Sequence, residues 1–255
     1  MNRHIPLAGL LVLVVLTSAG CSTAPSKKSG QPPDQPYYES SRLMINDVDA
    51  PLKVNDPWEG MNRTIFRFNS YADRWVLNPA VSVYRFVFPG FVRTGVSNFF
   101  TNLDNIQTIV NELLQLHPGS ALQTTGRFVV NTTIGVVGLW DPATPLGIRQ
   151  NYEDFGQTLG RYGVGFGPYL VLPLFGPSFV RDATGKVVDA QIFSAIDPLQ
   201  LDDVNERYTY LYWTLLVLNT RSTTSFQYYQ TGSPFEYELV RLLWATKRKL
   251  DVERY

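Results

Sequence analysis

The stretch NFFTNLDNIQTIVNEL, residues 98–113, decides how the chain is read. Phe99, Leu103, Ile106, Val110 and Leu113 recur at spacings of three and four, the period of one face of an α-helix. The other side carries Asn98, Thr101, Asn102, Asn105, Gln107, Thr108 and Asn111, with charge only at Asp104 and Glu112. A freely solvated helix face is ordinarily lined with Lys and Glu, so an amide-rich face points to a polar surrounding other than bulk water.

Working outward, the same periodicity recurs. Asp56-Pro57-Trp58-Glu59 places an N-cap acid, a proline at the first helical position and a glutamate at the third. A helix is predicted from there, with Met61, Ile65, Phe68, Ala72 and Trp75 on its apolar face and Pro79 as its stop. Asp154 with Gln157 marks another helix start, and Ser233-Pro234-Phe235-Glu236 opens a helix reaching about Lys249. Residues 208–218 form one more apolar helix candidate, whereas strand alternation is weak throughout and no internal repeat is visible. The basic end Lys247-Arg248-Lys249 suits either a helix C-terminus or acidic lipid headgroups.

Two uncharged runs stand out. Between Arg161 and Arg181 lie 19 residues with four Gly and three Pro. Pro168, Pro173 and Pro177 would break a spanning helix repeatedly, so an irregular apolar surface is expected, with core packing an equal reading. The second run, between Arg127 and Asp141, contains Gly135 and Gly138. These glycines allow a tight bend that turns residues 134–140 into an apolar tip, again unless the run is core.

Composition bounds the setting. The 255 residues carry 22 Lys+Arg against 22 Asp+Glu, so the chain lacks the positive footprint of a nucleic-acid binder. Only 17% of residues are charged while 13% are aromatic, which implies an unusually apolar surface or one covered by a membrane or partner. Arg3, an apolar run from Ile5 to Leu16 and small residues 17–20 before Cys21 read as a bacterial lipoprotein signal. Cys21, the only cysteine, is then the lipidation site, carrying diacylglycerol and an acyl group. The Ser-, Pro- and Gln-rich residues that follow have too few hydrophobic neighbours to fold, and such a tether spans on the order of 30 Å. The expected organisation is a signal peptide over 1–20, a lipidated tether over 21–55 and one all-α domain over 56–255.

Catalysis finds little support. His117 is the one histidine beyond the signal segment, and it sits before Pro118-Gly119 where a helix end explains it. Nucleophile elbows, phosphate loops and dinucleotide fingerprints are missing, and a lone His without thiolates cannot build a zinc site. Asp141, Glu153, Asp154, Asp182 and Asp189 leave a glycosidase-type carboxylate pair as a minor hypothesis, against caps and salt bridges.

Asn55-Asp56-Pro57-Trp58-Glu59-Gly60-Met61-Asn62-Arg63 and Asn98-Phe99-Phe100-Thr101-Asn102-Leu103 resemble the MlaA (VacJ) lipoprotein family. So do Asn131-Thr132-Thr133-Ile134-Gly135, Asp154-Phe155-Gly156-Gln157-Thr158-Leu159-Gly160 and Gly176-Pro177-Ser178. The resemblance is dense from Asn55 to about Asp189 and looser beyond, and the acidic tail of longer members is missing. It implies an outer-membrane lipoprotein on the periplasmic face, folded as a ring of amphipathic helices with a central channel. It also implies a passive conduit for retrograde phospholipid transport that maintains lipid asymmetry. Expected partners are phospholipids, a trimeric porin and a soluble periplasmic carrier, with no cofactor beyond the lipid on Cys21. Gly135, Gly138, Leu139, Trp140 and Asp141 would form a hairpin adjusting access to the channel. Asn98, Asn102, Asn105 and Thr108 would face the channel, and Tyr162, Phe166, Tyr169, Leu172, Leu174 and Phe175 would meet membrane or porin. A structural lipoprotein that braces porins without moving lipid is the alternative.

Overall fold

The computed structural model describes residues 54–200 and 206–254. The expected signal peptide, Cys21 and nearly all of the tether lie outside the described residues. Val54 and Asn55, assigned above to the tether, belong to the folded body: Val54 packs on the core, and the Tyr169 amide donates to the Asn55 carbonyl at 2.8 Å.

Helix α1 spans Glu59–Ala72 and continues through a π-helical turn, Asp73–Leu77, into α2, Asn78–Val87. Pro79 therefore starts a helix instead of stopping one, because a proline in the first turn removes only an amide that has no helical partner. Asp56 is not the cap, which falls at Trp58; its carboxylate instead accepts from Asn62 (2.8 Å), the Tyr237 hydroxyl (2.5 Å) and Arg241 (2.9 Å). Helices α3, Gly90–Leu114, and α4, Pro118–Thr133, form an αα-hairpin whose last turn leads into a bent segment, residues 134–150. Helix α5, Phe155–Arg161, starts as predicted, with the Asp154 carboxylate accepting from the Gln157 amide at 2.8 Å.

Strands β1, Tyr169–Leu172, and β2, Gly176–Phe179, pair antiparallel, with Tyr169 opposite Phe179. Helices α6, Val180–Ile196, α7, Glu206–Thr223, and α8, Glu236–Glu253, complete the described elements. Neighbours close into a circuit: α1 and its π-turn meet α2, which meets α7, then α3, α5, α8, β2, β1 and α1 again. The chain is thus a mostly helical, ring-like domain.

Its sidedness inverts the usual rule. On α1 the interior receives Asn62, Phe66, Asn69 and Ser70, while Met61, Phe68, Tyr71 and Trp75 point outward. On α3 it receives Asn102, Asn105, Thr108, Asn111 and Glu112, with Leu113 and Leu114 exposed. Among the described residues 23 polar or charged side chains are buried against 14 hydrophobic ones, so hydrogen bonds, not oil-like packing, organise most of the interior. The apolar core proper is local: Phe66, Tyr169, Val171, Phe179, Tyr229, Tyr237, Val240 and Ala245 join α1, the strands and α8. Asn62 and Asn69 act there as a substitute third strand. Asn62 Nδ2 donates to the Tyr169 carbonyl (3.0 Å) and its Oδ1 accepts from the Val171 amide (2.9 Å), while Asn69 repeats this with Leu172 (2.9 Å) and Leu174 (2.7 Å).

Candidate lipid-handling site

The bend after α4 is built by left-handed backbone. Gly138 has φ +86°, and it is preceded by Val136 (+53°) and Val137 (+57°), two β-branched residues in a region that costs each about 1–3 kcal/mol. Closely spaced amide bonds hold the bend: Val137 N to Thr132 O (2.8 Å), Gly138 N to Asn131 O (2.9 Å) and Trp140 N to Gly135 O (2.9 Å). Ile134, Val136, Val137, Leu139 and Trp140 are exposed, Trp140 to 69%. An apolar loop tip on a strained frame results, as the glycine spacing predicts.

The tip is anchored to both helices of the hairpin. Asn98 Nδ2 donates to the Leu139 carbonyl at 3.1 Å, and Asn102, against whose side chain Gly138 packs, donates to Thr132 Oγ1 at 2.9 Å. Below it the buried Arg127 guanidinium donates to Asp141 Oδ2 (2.6 Å), Thr144 Oγ1 (3.1 Å), the Ile148 carbonyl (2.6 Å) and Gln150. Asp141 also accepts from Asn131 (3.0 Å) and Thr144, and Asn131 Oδ1 accepts from the Ala143 amide (3.1 Å). Burial pushes the Asp141 carboxyl up, but the hydrogen bonds from Thr144, Asn131 and Arg127 outweigh it and hold the group below its ordinary value. A depressed carboxyl stabilises the folded loop above the ordinary Asp range and loses that contribution as pH falls through the folded value. Amide exchange in residues 134–144 is therefore expected to accelerate below about pH 4, and Asp141→Asn to remove this dependence while lowering protection at neutral pH.

The inward stripe of α3 continues as a chain of side-chain bonds. Asn105 accepts from Gln150 (2.9 Å), Glu112 from Asn151 (2.9 Å), and Gln115 donates to Glu153 and Thr158 (both 3.0 Å). Thr158 donates to Asn111 Oδ1 (2.8 Å), and Asn111 Nδ2 to Asp189 (2.9 Å). Burial raises the Glu153 and Asp189 carboxyls, against the partial relief of these bonds. Of the four residues expected to face a channel, Asn102, Asn105 and Thr108 are instead buried in protein contacts, because buried amides demand partners and α4, α5 and the 149–153 loop supply them. Asn98 is partly exposed and serves the hairpin.

The uncharged run after Arg161 divides in two. Tyr162, Leu174 and Phe175 are exposed, Phe175 to 77%, and the last two sit at the β1–β2 turn. Tyr169, expected at an outer contact, is fully buried in the core against Phe179 and Tyr237, and Leu172 and Phe166 are partly covered. The reason is the strand period, which sends Tyr169 and Val171 to one side.

The remaining candidates are structural ties. Arg248 is buried and clamps Asp154 and Asp182 with four donations of 2.8–2.9 Å, so it is no headgroup contact, whereas Lys247 pairs with Asp251 on its own helix. Asp154, Asp182 and Asp189 are each bound to protein donors, and His117 Nε2 lies 2.8 Å from Arg161 Nη1. Among the described residues no group of three or more His, Cys, Asp or Glu is placed to hold a metal, and no helix is long and apolar enough to cross a membrane. Sequence reasoning missed Asn62, Asn69 and Arg248, whose partners lie 66 to 109 residues away.

Comparison with known proteins places the chain. Residues 54–251 match the family described as MlaA lipoprotein. A protein of Rickettsia bellii without an assigned function is 32% identical over 210 residues, covering 78% of this chain and 81% of that one. The Escherichia coli K12 intermembrane phospholipid transport system lipoprotein MlaA is 39% identical over 139 residues, 53% of this chain and 55% of that protein, little more than half of each. A solved structure reported as the structural basis for maintenance of bacterial outer membrane lipid asymmetry superposes with TM-score 0.61 at 30% identity, covering 78% of this chain and 99% of that one. Its agreement with the closed circuit of helices and the matched 54–251 span lead to one conclusion: this chain belongs to the MlaA lipoprotein family.

Proposed function

We propose that the protein is an outer-membrane lipoprotein that gives phospholipid a passive path in retrograde transport and so maintains lipid asymmetry. The observation that carries this reading is the inverted body. Aromatic and aliphatic side chains such as Phe86, Phe91 and Trp75 cover the outside, where acyl chains solvate them, and amides and carboxylates fill the inside. A central channel bordered by the apolar 134–140 tip gives the lipid its route, and the strained left-handed residues let that tip shift at low cost. Cys21, carrying diacylglycerol and an acyl group, anchors the ring to the periplasmic face. The exposed Tyr162, Leu174 and Phe175 offer an edge to a trimeric porin, and a soluble periplasmic carrier receives the lipid. Lipid moves without any covalent bond being made or broken, so the chain is not an enzyme.

The test is the phospholipid content of the outer leaflet in cells lacking the gene, complemented by wild type or by Cys21→Ala. A rise on deletion that wild type reverses and Cys21→Ala does not is the expected result. No rise, with the other transport components intact, overturns the conduit in favour of a porin-bracing scaffold.

A further inference from the structure

Away from the hairpin, where α2 meets the end of α7, a cleft of about 460 Å³ opens between Asn78, Ser82 and Arg85 on one side and Arg221, Thr224 and Gln227 on the other. None of the described residues lining it is acidic. Arg221 is committed to the buried Asp73 through Nε and Nη2 (the latter at 2.9 Å), and its Nη1 caps the Thr224 carbonyl at 3.0 Å. Arg85 is different. Nη2 donates to the Ser222 carbonyl at 2.8 Å, no carboxylate pairs with the guanidinium, and the side chain is exposed. With Asp73 counted against Arg221, the cleft keeps one uncompensated positive charge, which suits one phosphodiester.

The opposite wall has the reverse character. Ser82 Oγ donates to the Asn78 carbonyl (2.8 Å) and Thr224 Oγ1 to the Thr220 carbonyl (2.7 Å), which leaves both oxygens as acceptors toward the cleft. The C-terminal carbonyls of α7 add partial negative charge at the same end. On the next face of α2, Val83, Phe86 and Val87 are exposed, Phe86 to 91%. A guanidinium, a row of acceptors and an adjoining apolar strip match, in order, a phosphate, an ammonium and acyl chains.

We propose that this cleft is a binding site for a zwitterionic phosphoester headgroup, with the phosphate on Arg85, the ammonium at Ser82, Thr224 and the α7 terminus, and the acyl chains along Val83 and Phe86. The inference rests on the phospholipid-handling reading above and adds to it a resting place on the ring's flank.

The experiment titrates the full-chain protein in non-ionic detergent with dihexanoyl phosphatidylethanolamine, dihexanoyl phosphatidylglycerol, glycerophosphoethanolamine and inorganic phosphate. Binding is followed by calorimetry and by the Nε–H NMR signal of Arg85, assigned through its loss in Arg85→Ala. The phosphatidylethanolamine should shift that signal saturably and bind most tightly of the four. Arg85→Ala, or Ser82→Tyr, which fills the cleft at an exposed position, should weaken binding about tenfold or more. Equal binding of glycerophosphoethanolamine or phosphate would overturn the lipid as the source, and equal binding of phosphatidylglycerol would overturn the ammonium contact. Heat of lipid binding with an unmoved Arg85 signal would overturn the cleft while leaving lipid handling intact. No heat with either lipid would sink both.

Discussion

Replacing Arg248 with methionine is expected to lower stability by about 3–5 kcal/mol, because it strands Asp154 and Asp182 without their shared cation. Asp182 is buried and keeps only Arg181, and Asp154 retains the Gln157 amide alone of the bonds that hold it. Burial raises the Asp154 carboxyl, yet the Arg248 guanidinium more than reverses this, so the loss falls on a group that is charged at neutral pH. For a body of this size the melting temperature should drop by about 10 °C, read by circular dichroism in detergent. Arg248→Lys should recover only part, since an ammonium cannot repeat the four-bond fork. A methionine variant that melts with wild type would mean that the α8 contact with α5 is held by apolar packing alone.

The second large effect is expected in cells. A side chain at Gly135 would place Cβ 2.3 Å from the Asn131 carbonyl oxygen and 2.4 Å from that of Trp140, so Gly135→Val must open the root of the hairpin. The collision costs about 1–3 kcal/mol if the loop yields locally, which the fold survives. Outer-leaflet phospholipid should then rise toward the level of the deletion strain. Gly126→Ala, a helical position with nothing within 4 Å of the new atom, should leave it unchanged. Normal lipid asymmetry in a Gly135→Val strain whose residues 134–141 exchange rapidly would remove the hairpin from the transport route.

The existence of the helices was legible, and so was the tip at Gly138, because periodicity, caps and glycine punctuation are local. Which side of each helix faces inward was not. The spacing of Met61, Phe68 and Trp75 describes a face without saying whether water or lipid lies beyond it, and here these residues point away from the protein. The same ambiguity hid the role of Asn102 and Asn105, whose amide character was plain but whose partners, Thr132 and Gln150, come from other elements. The strands were obscured by Pro173 and Pro177, which fit because one occupies the turn and the other a two-stranded edge. Pro79 misled in the opposite direction, sitting in the first turn of α2.

The inverted interior also shapes how the protein responds to temperature. Unfolding exposes polar surface, which lowers heat capacity, as well as apolar surface, which raises it. In most domains the apolar share dominates. Here buried amides, carboxylates and guanidinia make up much of the interior, and many large apolar groups are already outside, so the two contributions come closer to cancelling. A small heat-capacity increment flattens the stability curve, and the ring holds its shape over a wide span of growth temperatures without a large maximum stability at any of them.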